Sequence, residues 1–182
     1  NKMDRIGANF DGAVEMMRKT VRAAPPVLQL PVGEADHFSG VIDLIRMKQI
    51  HWEADSLGAE YHYGEIDAAS LDQAKEHREK LLETLAETDD EIMEAYLSET
   101  PMDNQQLVTA IRKATIGLKL VPVLCGSALK NKGIQPLLDA VEAYLPSPAD
   151  VPAIQGHHPE TGDPVQCAAR ESGPLAALIF KV

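Results

Sequence analysis

Lys119-Leu120-Val121-Pro122-Val123-Leu124-Cys125, continuing as Gly126-Ser127-Ala128-Leu129-Lys130-Asn131-Lys132-Gly133, is the stretch that decides the fold. Its first seven residues are an apolar run of strand length, with Pro122 favouring a strand end or sheet edge because proline has no N–H for the ladder. Residues 126–132 are a polar loop. Ile134, Leu137, Leu138, Val141 and Tyr144 then recur at helical spacing until Pro146-Ser147-Pro148 closes the unit. A buried strand, a short polar loop and a helix in succession are the repeating unit of α/β folds.

Outward from there the aliphatic periodicity predicts a helix over 9–22, carried by Phe10, Ala13, Val14, Met17 and Val21 and stopped by Pro25-Pro26. Short strand patterns follow at 27–32, 40–45, 48–52 and 59–63, separated by turns such as Gly33-Glu34 and Ser56-Leu57-Gly58, which predicts a small sheet. Residues 70–97 read as helix, but Thr88-Asp89-Asp90-Glu91 is an N-cap sequence in the middle, so two helices with a break near Thr88 are expected. A further helix covers 104–116. Beyond Pro152 the turn-rich stretch 156–164 reads as a linker, and Phe180-Lys181-Val182 as the inside of a strand. A chain that starts at Asn1 and stops in a strand pattern reads as an excised fragment.

With 182 residues, 45% hydrophobic and 25% charged, the chain has the composition of a globular protein rather than a disordered one. Its net charge of -11 excludes a general hold on phosphate backbones, which needs Lys and Arg to displace counterions. Cys125 and Cys167 form no CxxC pair, no apolar run reaches membrane-span length and no secretory pattern opens the chain, which fits a reduced, cytoplasmic setting. Charge is polarised: residues 70–103 hold eleven acids against three bases, whereas 104–138 hold five bases and no acid. Most of those acids read as a solvated helix face. Glu83, Glu87 and Asp90 fall at i, i+4 and i+7, on one helical face, a row of three carboxylates within about 11 Å. His157-His158 with Glu160 is a thin metal-ligand pattern in a linker.

The chemistry lies in two segments, Asn1-Lys2-Met3-Asp4 and Gly126-Ser127-Ala128. Either alone reads equally as a helix entry capped by Asp4 or an ordinary strand-to-helix turn. Together they match a guanine pocket. Guanine presents N1–H and a 2-amino group side by side, and the Asp4 carboxylate accepts both at once. Adenine has an acceptor at N1 and no 2-amino group, so it is rejected. Asn1 has a donor and an acceptor with which to bridge the base to its loops, and the Lys2 stem can lie along the ring face. Backbone N–H groups at Ala128 and Leu129 are the expected donors to guanine O6, and the Ser127 hydroxyl the expected brace for Asp4.

The blocks 1–10, 28–33, 38–44, 125–133 and 144–152 (Tyr144-Leu145-Pro146-Ser147-Pro148-Ala149-Asp150-Val151-Pro152) resemble bacterial and organellar elongation factor G, in order and across essentially the whole chain. The resemblance implies the C-terminal part of a Ras-like P-loop GTPase domain at 1–24 and 118–147, with an inserted α/β subdomain at 25–117. Residues 148–182 would be a linker and the first strand, near Leu175, of a β-barrel domain. It implies GTP or GDP as ligand, the ribosome as partner, and contact of Glu83, Glu87 and Asp90 with the lysine-rich C-terminal domain of the ribosomal stalk protein. The spacing from Asp4 to Gly126, over 120 residues, independently demands an insertion.

Phosphoryl transfer by this class also needs a P-loop, a Mg²⁺ ligand and a switch that positions water. No GxxxxGK[ST] occurs: Gly7 and Gly12 have the spacing, but Ala13-Val14 follow. Asp4-Arg5-Ile6-Gly7 and Asp55-Ser56-Leu57-Gly58 only mimic a DxxG switch. The chain is therefore expected to hold base-specificity loops and to hydrolyse nothing alone. The competing readings are a non-catalytic acidic module that docks a basic protein, a ribosome-recycling paralogue of elongation factor G, and a small metal-dependent hydrolase built on the linker histidines.

Overall fold

Asn9 accepts the Gly12 N–H on its side-chain oxygen at 2.8 Å and so starts α1 (Phe10–Thr20), which buries Phe10 and Val14. The computed structural model describes residues 1–20, 24–53, 56–158, 160–170 and 172–173, in two units, Asn1–Leu145 and Pro146–Val182. Val21 and Arg22, expected at the end of the first helix, lie outside the described residues.

Within the first unit, residues 24–28 run parallel to 119–123. The Val121 N–H donates to Ala24 O, the Val123 N–H to Pro26 O and the Leu28 N–H to Val123 O, each at 2.9 Å. The expected strand at 119–125 is thus realised as two isolated bridges: Val121 and Val123 make the donations across, so Pro122 faces away from this pairing, and the ladder donor that is missing is the one at Pro26. From Gln29 the chain enters an antiparallel sheet of β1 (Gln29–Val32), β2 (Gly40–Asp43), β3 (Lys48–Trp52) and β4 (Tyr61–Gly64), hydrogen-bonded in that order. Val41 faces Ile50 and Leu30 faces Ile42 across the ladders. Asp43 closes the tight β2–β3 connection by accepting the Ile45 and Arg46 N–H groups at 2.8 and 3.0 Å and the Arg46 guanidinium at 2.9 Å.

Three helices follow: α2 (Ala68–Ala86), α3 (Asp90–Leu97) and α4 (Asn104–Ile116), and α5 (Ile134–Tyr144) completes the unit. Ala74, Leu81 and Leu85 of α2, Ile92 of α3, and Leu107, Ile111 and Ala114 of α4 join Ile42, Leu44 and Ile50 in one buried cluster. Polar ties fix helices to sheet. Gln49 donates to Asp67 at 2.9 Å and accepts its N–H at 3.2 Å, and the half-buried Arg78 guanidinium donates to the Leu44 and Ile45 carbonyls at 2.5 and 2.7 Å. A capping box between Asp103 and Gln106 starts α4, and Arg112 donates to the Ala143 and Leu145 carbonyls at the end of α5.

The break near Thr88 corrects one expectation. α2 ends at Ala86, Glu87 caps it, and Asp90 is the first residue of α3, so Glu83, Glu87 and Asp90 do not form a row on one helix. All three are at least partly exposed, and Glu83 accepts the Tyr96 hydroxyl at 3.1 Å. The cause of the break is Asp89, whose carboxylate caps α3 by accepting the Glu91 N–H and also accepts the Lys113 ammonium of α4 at 2.6 Å. The Lys113 bond, the cap bonds and Lys113's charge hold the Asp89 carboxyl below the ordinary aspartate value against the opposing effect of burial. A depressed carboxylate adds stability above its unfolded pKa and loses it as pH falls through the folded one. The gap in urea midpoint between wild type and Asp89→Asn is therefore expected to be constant near neutrality and to close as pH drops below about 4.

In the second unit, β5 (Ile154–His157) and β6 (Pro164–Cys167) form an antiparallel hairpin, with Ile154 opposite Cys167 and His157 opposite Pro164. This corrects the expected linker: Gly and Pro in 156–164 mark the hairpin's turn and strand edge rather than an unstructured connection. The strand expected near Leu175, and residues 180–182, lie outside the described residues. No helix among the described residues is long and apolar enough to cross a membrane.

Candidate nucleotide-base site

Two close backbone approaches build the site. Met3 is buried, and its N–H donates to Gly126 O at 3.2 Å, which lays the first segment against the loop after residue 125. That loop is pinched by a pair of bonds between Ser127 and Lys132, at 2.9 and 3.0 Å. Gly126 and Gly133 permit the pinch. A Cβ at Gly126 would lie 2.6 Å from Lys132 O, and Gly133, at φ +86, sits on the Cys125 carbonyl.

On this frame the Ser127 hydroxyl, fully buried, donates to Asp4 Oδ1 at 2.5 Å across 123 residues of sequence. That bond, ahead of Asp4's own backbone and the charges of Arg5 and Lys130, holds the Asp4 carboxyl below the ordinary aspartate value despite desolvation. Asp4 is thus ionised at neutral pH, with Oδ1 taken by Ser127. Asn1 Oδ1 accepts the Lys2 N–H at 2.7 Å and the Ala128 N–H at 3.0 Å, joining the two segments a second time. Lys2 is exposed and takes φ 65.

Five of the six expected base-site residues, Asn1, Asp4, Ser127, Ala128 and Leu129, are gathered or adjacent here, and Lys2 follows Asn1. One donor assignment changes. The Ala128 N–H is already engaged by Asn1, whereas the Leu129 N–H has no hydrogen-bond partner among the described residues. Asn1 and Lys2 also border a cleft of about 310 Å³ reaching Phe10, Val14 and Cys125. Burial pushes the Cys125 thiol up to about 12, which leaves it inert.

Sequence reasoning gave no role to Asn131, Lys132 or Gln135. Asn131 donates to Leu57 O at 3.0 Å, Lys132 to Phe38 O at 3.1 Å and Gln135 to Gly58 O at 2.7 Å. The Lys130-Asn131-Lys132-Gly133 run carried the signal only as polar residues in a loop. Glu83, Glu87 and Asp90 make no part of this site. His158 Nδ1 accepts the Glu160 and Thr161 N–H groups in the turn of the hairpin. Among the described residues no group of three His, Cys, Asp or Glu side chains is placed to hold a metal ion.

Residues 1–147 match the elongation factor Tu GTP binding domain. The whole chain is 51% identical to part of elongation factor G from Anaplasma phagocytophilum (strain HZ), covering 26% of that protein. It is 50% identical to part of elongation factor G 2 from Syntrophus aciditrophicus (strain SB), covering 27% of it. The chain therefore spans about a quarter of the length of the curated relatives it matches. A crystal structure of a Thermus thermophilus protein superposes with a TM-score of 0.66 at 26% identity, over 88% of this chain and 25% of the other. The chain belongs to the family of the elongation factor Tu GTP-binding domain.

Proposed function

We propose that this chain is the guanine-reading part of a translational GTPase of the elongation factor G type, which binds GTP and GDP and promotes movement on the ribosome in the cytoplasm. The observation that carries the reading is the 2.5 Å bond from Ser127 to Asp4, which aims an ionised carboxylate from one motif with a hydroxyl from the other. Asp4 Oδ2 and the outer lone pair of Oδ1 accept guanine N1–H and the 2-amino group. Asn1, its oxygen engaged by the loops, keeps its amide donor for the base, the Lys2 stem packs on the ring, and the Leu129 N–H is the donor left for O6. Residues 1–24 and 118–147 are the GTPase portion, 25–117 the insertion, and 148–182 the start of the following domain.

Phosphates and Mg²⁺ are held elsewhere in the parent protein, so the isolated chain should bind GDP feebly and turn over no GTP. The test is displacement of labelled GDP from the parent protein. Excess GDP should displace it and excess ADP should not. Equal displacement by both removes the guanine reading.

For the acidic segment the proposed partner is the lysine-rich C-terminal domain of the ribosomal stalk protein, met by Glu83, Glu87 and Asp90. With α2 and α3 separate, these carboxylates act as a charged corner between two helices, and exposed charges mainly accelerate encounter. Reversing all three to Lys is expected to slow association with the stalk domain roughly tenfold at low salt, with the loss shrinking as salt screens the surface. Stopped-flow association rates at two ionic strengths measure it. An unchanged low-salt rate leaves the corner a solvated surface.

A further inference from the structure

The turn at 56–60, which in sequence only mimics a GTPase switch, touches the base loop directly. Ser56 closes it, its hydroxyl donating to Glu53 O at 2.9 Å and accepting the Glu60 N–H at 3.1 Å. Leu57 and Gly58 take φ of 51 and 84, and their carbonyls accept Asn131 Nδ2 and Gln135 Nε2. Trp52 Nε1–H donates to Gln135 Oε1 at 3.2 Å, which fixes the way that amide faces from β3. Contact is tight: Gly58 is buried, and a Cβ there would lie 2.4 Å from the Asn131 Cβ. Asn131 itself, at φ 53, donates its own N–H to Ala128 O at 3.2 Å and so belongs to the loop that carries Ala128 and Leu129.

We propose that the 56–60 turn is a latch on the base loop, and that Asn131 and Gln135 are positioning residues through which the sheet sets how long a guanine nucleotide stays bound. This rests on the guanine reading above. A loop that holds Asn131 and Gly133 in left-handed backbone samples other shapes unless outside partners fix it. Asn131 and Gln135, donating to the Leu57 and Gly58 carbonyls, supply those partners. Opening the latch leaves residues 127–132 held by the Ser127–Lys132 pinch, the Lys132 bond to Phe38 O and the bonds to Asn1 and Asp4, which loosens the loop around a bound base, so the latch acts on dissociation.

Asn131→Asp and Gln135→Glu keep side-chain size, and at 131 the tolerance of left-handed backbone, while turning a donor into an acceptor that faces a carbonyl. In the 182-residue chain, amide hydrogen exchange at residues 128–132 is expected to quicken about tenfold in the double variant, with β2 and α4 unchanged. Gly58→Ala attacks the latch from the other side and should give the same pattern. In the parent protein the GDP dissociation rate should rise by a similar factor while the association rate holds, a split that general loss of folded protein does not produce. Unchanged exchange at 128–132 in the double variant, with β2 and α4 protected, overturns the latch. So does loss of protection throughout β2 and α4 in every variant, which makes the contact part of the core. If loop exchange quickens but ADP displaces GDP from the parent, the latch stands and the guanine reading falls.

Discussion

An Asp4→Asn variant of the parent protein is expected to exchange guanosine for xanthosine nucleotides. In the wild type the carboxylate offers two acceptors to the two donors on guanine's edge. Asparagine keeps one acceptor, which still takes N1–H, but its amide opposes the 2-amino group. Xanthine has a carbonyl at that position, so the amide becomes a partner. Sites that leave a buried polar group unmatched discriminate by roughly 10⁴-fold, and a swing of that order between GDP and XDP is expected in competition binding. Ser127 sharpens the prediction, since its hydroxyl can also donate to the amide oxygen, more weakly than to the carboxylate but enough to orient Asn. Unchanged GDP preference would take Asp4 out of the pocket.

Gly133→Val is expected to have the largest effect on stability. Gly133 precedes α5 at φ +86, a region closed to β-branched side chains, and its Cβ would stand 2.7 Å from the Cys125 carbonyl and 3.1 Å from Gly126 Cα. Backbone strain and overpacking together cost roughly 3 kcal/mol. The relief available is to open the Ser127–Lys132 pinch, which draws Ser127 away from Asp4. The urea midpoint of the chain should therefore fall, and guanine binding by the parent should weaken with it. A variant that keeps the wild-type midpoint would show that the pinch yields without loss.

The α/β organisation is legible in the sequence because the core is aliphatic and its periodicity survives: Leu81 and Leu85, or Leu107 and Ile111, fall where a helix needs them. The base site is legible for another reason. Asp4 and Ser127 belong to short segments whose residue types are dictated by the edge of one base. Pro122 hints at weak pairing of 119–125, but the donor actually missing from it is at the facing Pro26, which the apolar run itself does not reveal. For the acidic corner the sequence contains its own contradiction, since the cap sequence at 88–91, where the structure uses Asp89, breaks the helix on which Glu83 and Asp90 would have aligned. The hairpin at 154–167 hides because four-residue strands rich in Gly and Pro have no clear alternation. Hidden most completely are Asn131 and Gln135. Their partners Leu57 and Gly58 accept through backbone carbonyls, which every residue has, so nothing in local sequence marks the match.

The distance along the chain between Asp4 and Ser127 also sets the order in which the molecule is made. Closing so long a loop directly is slow, because non-local contacts reward the chain only after the entropy of bringing its ends together has been met. The parallel pairing of residues 24–28 with 119–123 offers a shorter path. Once the four-stranded sheet and α2 to α4 have condensed, the ends of that segment are already neighbours, and what remains is to join one helix on the near side to one loop on the far side. During synthesis the sheet strands leave the ribosome well before Ser127 does, and domains fold as their residues emerge. Folding of the middle of the chain is thus the step that brings the two motifs within reach. Destabilising the sheet should delay the appearance of nucleotide binding in a nascent chain even where the finished protein binds normally.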